Sequence, residues 1–176
     1  MELLKAVARA SAVLAFCAGA HAQGISEPAV KAAYLYKFAG YVEWPTPSRP
    51  DAPFVIGTLA ADDVAGELAR ILPGRAISGR TAVVRTLREG QSLEGIHILF
   101  IGKRAADPAA AVRTAQRLGA LTVTEGGLEA GGVINFVVEE NRVAFEVSLE
   151  AAERGGHRIS SRMLAVARRV LPKGAV

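Results

Sequence analysis

One stretch restricts the fold of this chain more than any other. Ile96 to Ile101 is apolar and rich in β-branched residues, and Leu121 to Thr124 is apolar again. Between them, Asp107-Pro108 offers a cap followed by a first-turn proline, and Gly119 offers a C-terminal stop. Strand, helix and strand in so little chain form a βαβ unit, which is expected to be parallel and right-handed.

The flanking sequence extends the same pattern. Ser26 can cap a helix, Glu27 complements its dipole and Pro28 is tolerated in the first turn. Val30, Tyr34, Phe38, Tyr41 and Val42 follow helical spacing, and Trp44-Pro45 is expected to end that helix. Residues 46–53, with three prolines, read as a loop. Phe54 to Leu59 reads as a strand, and Asp62 is expected to cap a helix with Val64, Leu68 and Ile71 inside, stopped by Pro73-Gly74. Thr81 to Leu87 reads as another strand. Val133 to Val138 and Val143 to Leu149 flank Glu139-Glu140-Asn141-Arg142 and read as an antiparallel hairpin. A last helix is expected from Ser160 to Pro172, with Met163, Ala167 and Val170 on one face and Arg168 and Arg169 near its C-terminus. The expected architecture is a single-domain α/β fold, a mixed, mostly parallel sheet of about six strands covered by helices.

The N-terminus reads as an export signal, residues 1–22, ahead of a domain spanning 23–176. Lys5 and Arg9 form a positive region, Ala10 to Ala20 is apolar, and Ala20-His21-Ala22 fits the small-x-small cleavage pattern. The apolar run is too short for a membrane span of ~20 residues. Leu14-Ala15-Phe16-Cys17 looks like a lipobox, but Phe16 is too large for the position before a lipidated cysteine. Removing 22 of the 176 residues leaves 154, without Cys17, which is the single cysteine of the chain. The product is expected to be a periplasmic domain that forms no disulfide, although its compartment permits them.

Composition narrows the function. The formal net charge of +4 is mild and does not by itself predict nucleic-acid binding, which usually shows a clustered basic face. Gly126-Gly127 and Gly131-Gly132 lie between two strands, where a phosphate-cradling loop would have to lead into a helix. Gly102-Lys103 is followed by Arg104 where a P-loop needs Ser or Thr. Only His97 and His157 remain after cleavage, too few and too scattered for a metal site. Ser160 and Ser161 are better helix caps than nucleophiles, and Glu139 and Glu140 a solvated turn. The expectation is no enzyme activity, no catalytic residue, no metal and no cofactor.

The first helix carries the functional signal. Tyr34, Tyr36, Phe38, Tyr41 and Trp44 are half of the ten aromatic residues in the chain (Trp 1, Tyr 3, Phe 6). One helical face cannot hold all five, because Tyr36 falls opposite the stripe of Tyr34, Phe38 and Tyr41 at about 100° per residue. Part of the segment is expected to face a partner, since Tyr and Trp concentrate at recognition sites. The candidates are Tyr36, Lys37, Tyr41, Glu43 and Trp44, followed by Arg158 and Arg162 on the basic C-terminal helix.

Residues 31–45, KAAYLYKFAGYVEWP, resemble the N-terminal signature of the YfiR/HmsC-like family. Residues 134–168, INFVVEENRVAFEVSLEAAERGGHRISSRMLAVAR, are similar to its closing strand–strand–helix–helix segment, and the strand from His97 to Ile101 is compatible. The resemblance implies a small α/β periplasmic protein without catalytic activity. Its best-known members repress an inner-membrane diguanylate cyclase through the cyclase's periplasmic sensor region, and an outer-membrane lipoprotein can sequester the repressor. Others accompany sensor kinases. Two readings stay open: a repressor of a membrane cyclase acting on cyclic di-GMP and biofilm signalling, and a periplasmic small-molecule binding protein that passes a ligand signal to a membrane sensor. A homodimer is compatible with either.

Overall fold

The computed structural model describes residues 25–44, 51–172 and 174. The expected export signal and most of the proline-rich loop lie outside these residues.

Helix α1 spans Glu27–Phe38, and the Ser26 hydroxyl accepts from the Ala29 N–H as expected of a cap. It ends six residues before Trp44. Gly40 and Tyr41 donate three residues back to Lys37 and Phe38, and the chain turns into a short strand β1, Val42–Glu43. Strand β2 is Phe54–Leu59 and helix α2 is Asp62–Ile71. Asp62 does not cap α2: Ala61 holds the cap position without a side-chain bond, and Asp62 and Asp63 sit in the first turn, where their charge complements the dipole. Two antiparallel strands follow, β3 (Ala76–Ile77) and β4 (Arg80–Leu87). Then come β5 (Ile98–Ile101), α3 (Pro108–Arg117) capped by Asp107, and β6 (Leu121–Thr124). Strands β7 (Ile134–Glu139) and β8 (Arg142–Ser148) form the expected hairpin, whose turn residues Glu140 and Asn141 have φ of 47° and 65°. Helix α4 is Leu149–Arg154, β9 is Arg158–Ile159, α5 is Ser161–Val166 and β10 is Arg169–Leu171.

Among the described residues the main sheet has eight strands in the order β10-β8-β7-β6-β5-β2-β4-β3, and β1 and β9 form a separate two-stranded ribbon. Within the main sheet, among the described residues, only β3–β4 and β7–β8 pair antiparallel. The fold is mixed α/β, as expected, with more strands than the six anticipated. The additional ones are β1, β3, β9 and β10, each two or three residues long. Strands this short lack a readable period of two.

Strand β5 explains the layering. All four of its residues are buried, and they alternate between two cores. Ile98 and Phe100 join the larger core with Leu35 and Phe38 of α1, Val64 and Leu68 of α2 and Met163 of α5. Leu99 and Ile101 join the smaller core with Val112 and Ala115 of α3. A run buried on both faces is what a central parallel strand requires.

The last helix departs most from expectation. It stops at Val166, and Ala167 turns extended at φ −69°, ψ 138°. The Arg168 N–H donates to the Phe145 carbonyl at 2.8 Å, and Arg169–Leu171 pairs parallel with Glu146–Ser148. Glu146 is buried, and the guanidinium groups of Arg168 and Arg169 reach its Oε1 at 2.8 and 3.0 Å. An open sheet edge and a buried carboxylate together outweigh the local helical preference.

Candidate functional site

The ribbon gathers four of the candidate residues. Val42 pairs with Ile159 and Glu43 with Arg158, and the Ser160 N–H donates to the Tyr41 carbonyl at 2.9 Å. Tyr41 is exposed (41%), because the helix that would have carried it inward has already ended. The Glu43 carboxylate and the Arg158 guanidinium face each other at 3.9 Å in solvent, a separation worth little in stability. Trp44 leaves the ribbon toward the core. Its indole lies 5.1 Å from the Phe54 ring and 5.5 Å from the His157 ring, edge-on to both.

The other candidates lie elsewhere. Tyr36 is half-buried against the larger core, with the Arg75 guanidinium 5.1 Å from its ring centroid. Lys37 is exposed in the last turn of α1. Arg162 is exposed on the first turn of α5. The basic residues expected on one C-terminal helix therefore fall on three elements: Arg158 on β9, Arg162 on α5 and Arg169 on β10.

A groove of about 760 Å³ runs beside the ribbon, lined by Glu43, Glu153, His157, Arg158, Ser160 and Ser161 among others. Ser160 caps α5 by accepting from the Met163 N–H. Tyr41, the Glu43–Arg158 pair and these hydroxyls offer an aromatic and charged surface that can hydrogen-bond a protein partner.

Two features escaped the sequence reading. The first is His157. It is 4% exposed and neither ring nitrogen makes a hydrogen bond. Burial holds its pKa below the usual value, while the nearby Gly119 backbone acts the other way. His97 is held low too, first by burial and then by Arg80, with the Gly95 backbone opposing. Its Nδ1 accepts from the Val55 N–H at 3.1 Å, and its ring stacks on Phe54 at 4.5 Å. The second feature is Lys31, buried on α1 and bonded to both Glu27 and Glu125. Burial disfavours its charge, but the hydrogen bonds and attraction of the two carboxylates win and raise its pKa. The spacing of Glu27 and Lys31 was a visible signal of helical ion pairing. Nothing in the sequence brought Glu125 to them.

Among the described residues no cluster of three or more His, Cys, Asp or Glu could hold a metal, and no helix is long and apolar enough to cross a membrane.

The architecture is that of a mixed α/β single-domain protein with an appended ribbon. The chain belongs to the YfiR/HmsC-like family, whose model matches residues 28–168. That range runs from the first turn of α1 to the residue before β10, and it includes both strands of the ribbon. No curated protein matches the sequence.

Proposed function

We propose that this protein is an exported periplasmic regulator that binds the periplasmic sensor region of an inner-membrane diguanylate cyclase and holds the cyclase inactive. Membership of the YfiR/HmsC-like family supports the regulatory role, the periplasmic location and the absence of enzyme activity. Residues 1–22 serve as the export signal. The single observation that points to a docking surface is the β1–β9 ribbon. It stands outside the main sheet and presents Tyr41, Glu43 and Arg158 to solvent. Binding through it acts by population shift: the repressor favours the inactive sensor conformation by its difference in affinity for the two states.

The test is the cellular cyclic di-GMP level in the native host. Deleting the gene raises it, and Tyr41→Ala or Glu43→Arg, exported at the wild-type level, raises it toward the deletion value. A deletion that leaves cyclic di-GMP unchanged overturns the cyclase reading. A deletion that raises it while both variants repress normally moves the interface away from the ribbon.

A further inference from the structure

His157 sits where an imidazole is costly to bury. Neither ring nitrogen has a partner that meets hydrogen-bond geometry, although the Gly119 backbone lies close enough to favour the charged ring. The ring packs edge-on against Trp44, the residue that follows β1, and the next residue, Arg158, begins β9. A single side chain thus sits at the root of both ribbon strands. The chain before it is built for close approach and for bending. A Cβ at Gly155 would fall 2.8 Å from the His157 Nδ1, and Gly156 has φ +72°.

We propose that His157 is an acid-sensitive latch: neutral, it packs against Trp44 and keeps the β1–β9 ribbon closed; protonated, it leaves the core and the ribbon opens.

Among the described residues, no carboxylate contributes to the shift of His157. Glu43 and Arg158 of the ribbon and Glu153 of α4 line the same groove as His157, toward solvent. Glu150 and Arg154, also on α4, pair with each other. On the far side of Trp44 lie Phe54, His97 and Arg80, the last a cation. Burial sets the protonation of His157, and only the Gly119 backbone favours the charged form. Leaving the core lets the imidazole return to its usual pKa of 6.5, where it binds a proton readily. The ratio of open to closed ribbon therefore rises by up to about tenfold for each pH unit below that value. Above it, opening gains nothing from protonation.

Trp44 reports the event directly, because the chain has one tryptophan. Acrylamide quenching of its emission measures access to the indole rather than the charge beside it. The full chain is expected to show quenching that rises at least twofold from pH 7.5 to pH 5, reversibly, with unchanged far-ultraviolet circular dichroism. His157→Phe keeps Trp44 shielded at both pH values, and His97→Gln leaves the response in place. Quenching independent of pH overturns the latch, as does a response that survives in His157→Phe or one that appears only together with loss of circular dichroism. Should His157→Phe fail to fold, proton NMR of the wild-type imidazoles decides instead. The exposure of Trp44 must follow the titration of His157; following that of His97 overturns the proposal.

Discussion

The indole Nε1 of Trp44 donates a 2.9 Å hydrogen bond to the carbonyl of Ala39, the residue that caps the C-terminus of α1. The last turn of a helix leaves carbonyls without intrahelical partners, and this bond satisfies one of them. It also ties the end of β1 back to the helix, so the ribbon leaves the domain at a defined place. Trp44→Phe keeps a ring against Phe54 and deletes the donor. The variant is expected to lose about 1 kcal/mol of stability, read as a lower urea midpoint by circular dichroism with an unchanged slope. An unchanged midpoint would make the bond incidental.

Lys31 has a side chain only 7% exposed and spans two carboxylates, one of which, on Glu125, is 13% exposed. Removing the ammonium leaves Glu125 poorly solvated and without its cation. Lys31→Met should cost roughly 3 kcal/mol. Glu27→Gln should cost less than about 1 kcal/mol, because that carboxylate is 46% exposed. Equal costs for the two would show that burial does not set the strength of the pair.

Met163 anchors α5 in the larger core at 2% exposure, while Val166 is 71% exposed at the end of the same helix. Met163→Ala is expected to cost about 2–5 kcal/mol and Val166→Ala no more than about 0.5 kcal/mol, both from denaturant midpoints. Similar costs would place the helix on the sheet by a different face.

Glu146 is the buried acceptor shared by Arg168 and Arg169, and its other oxygen lies 3.5 Å from the Asn135 amide. Glu146→Ala should release β10 before anything else unfolds. Amide exchange at Val170 and Leu171 is expected to become roughly tenfold faster or more, with the centre of β5 unaffected. Uniform acceleration across the sheet would contradict a local role.

His97 and His157 both have native pKa values below the ordinary 6.5. As pH falls below 6.5, the unfolded chain takes up protons that the buried rings of the closed native chain refuse. Their contribution to stability is therefore complete above pH 6.5 and declines as pH drops toward the native values. The urea midpoint should be lower at pH 5 than at pH 7.5, and His97→Gln should remove part of that difference. A midpoint that rises on acidification would reverse the assignment.

Several elements were legible because their causes are local. Ser26, Asp107 and Ser160 each cap a helix through their own hydroxyl or carboxylate, within three residues of the bond they make. The hairpin at Glu140-Asn141 was marked by two β-branched runs separated by polar turn residues, and the structure pairs them residue for residue. The candidate surface was legible only in part. The excess of aromatics marked the segment around α1, but helical periodicity sent Tyr41 inward and left Tyr36 outside. The structure exposes Tyr41 and packs Tyr36 beside Arg75.

The alternation of apolar runs with capped helical segments was enough to determine the α/β class, the parallel βαβ unit and the hairpin, because each depends on short-range periodicity and on caps that act within one turn. Tertiary structure alone decided where α1 and α5 stop. Val42–Glu43 leaves the helix to pair with Arg158–Ile159, more than a hundred residues away, and Arg169–Leu171 leaves it to pair with β8. The same long-range closure assembled Lys31 with Glu125, and Trp44 with His157. Such contacts are selected by backbone bonds at open strand ends and by burial of charge and aromatic surface. Those energies depend on which distant segments meet, and no window of sequence contains both partners.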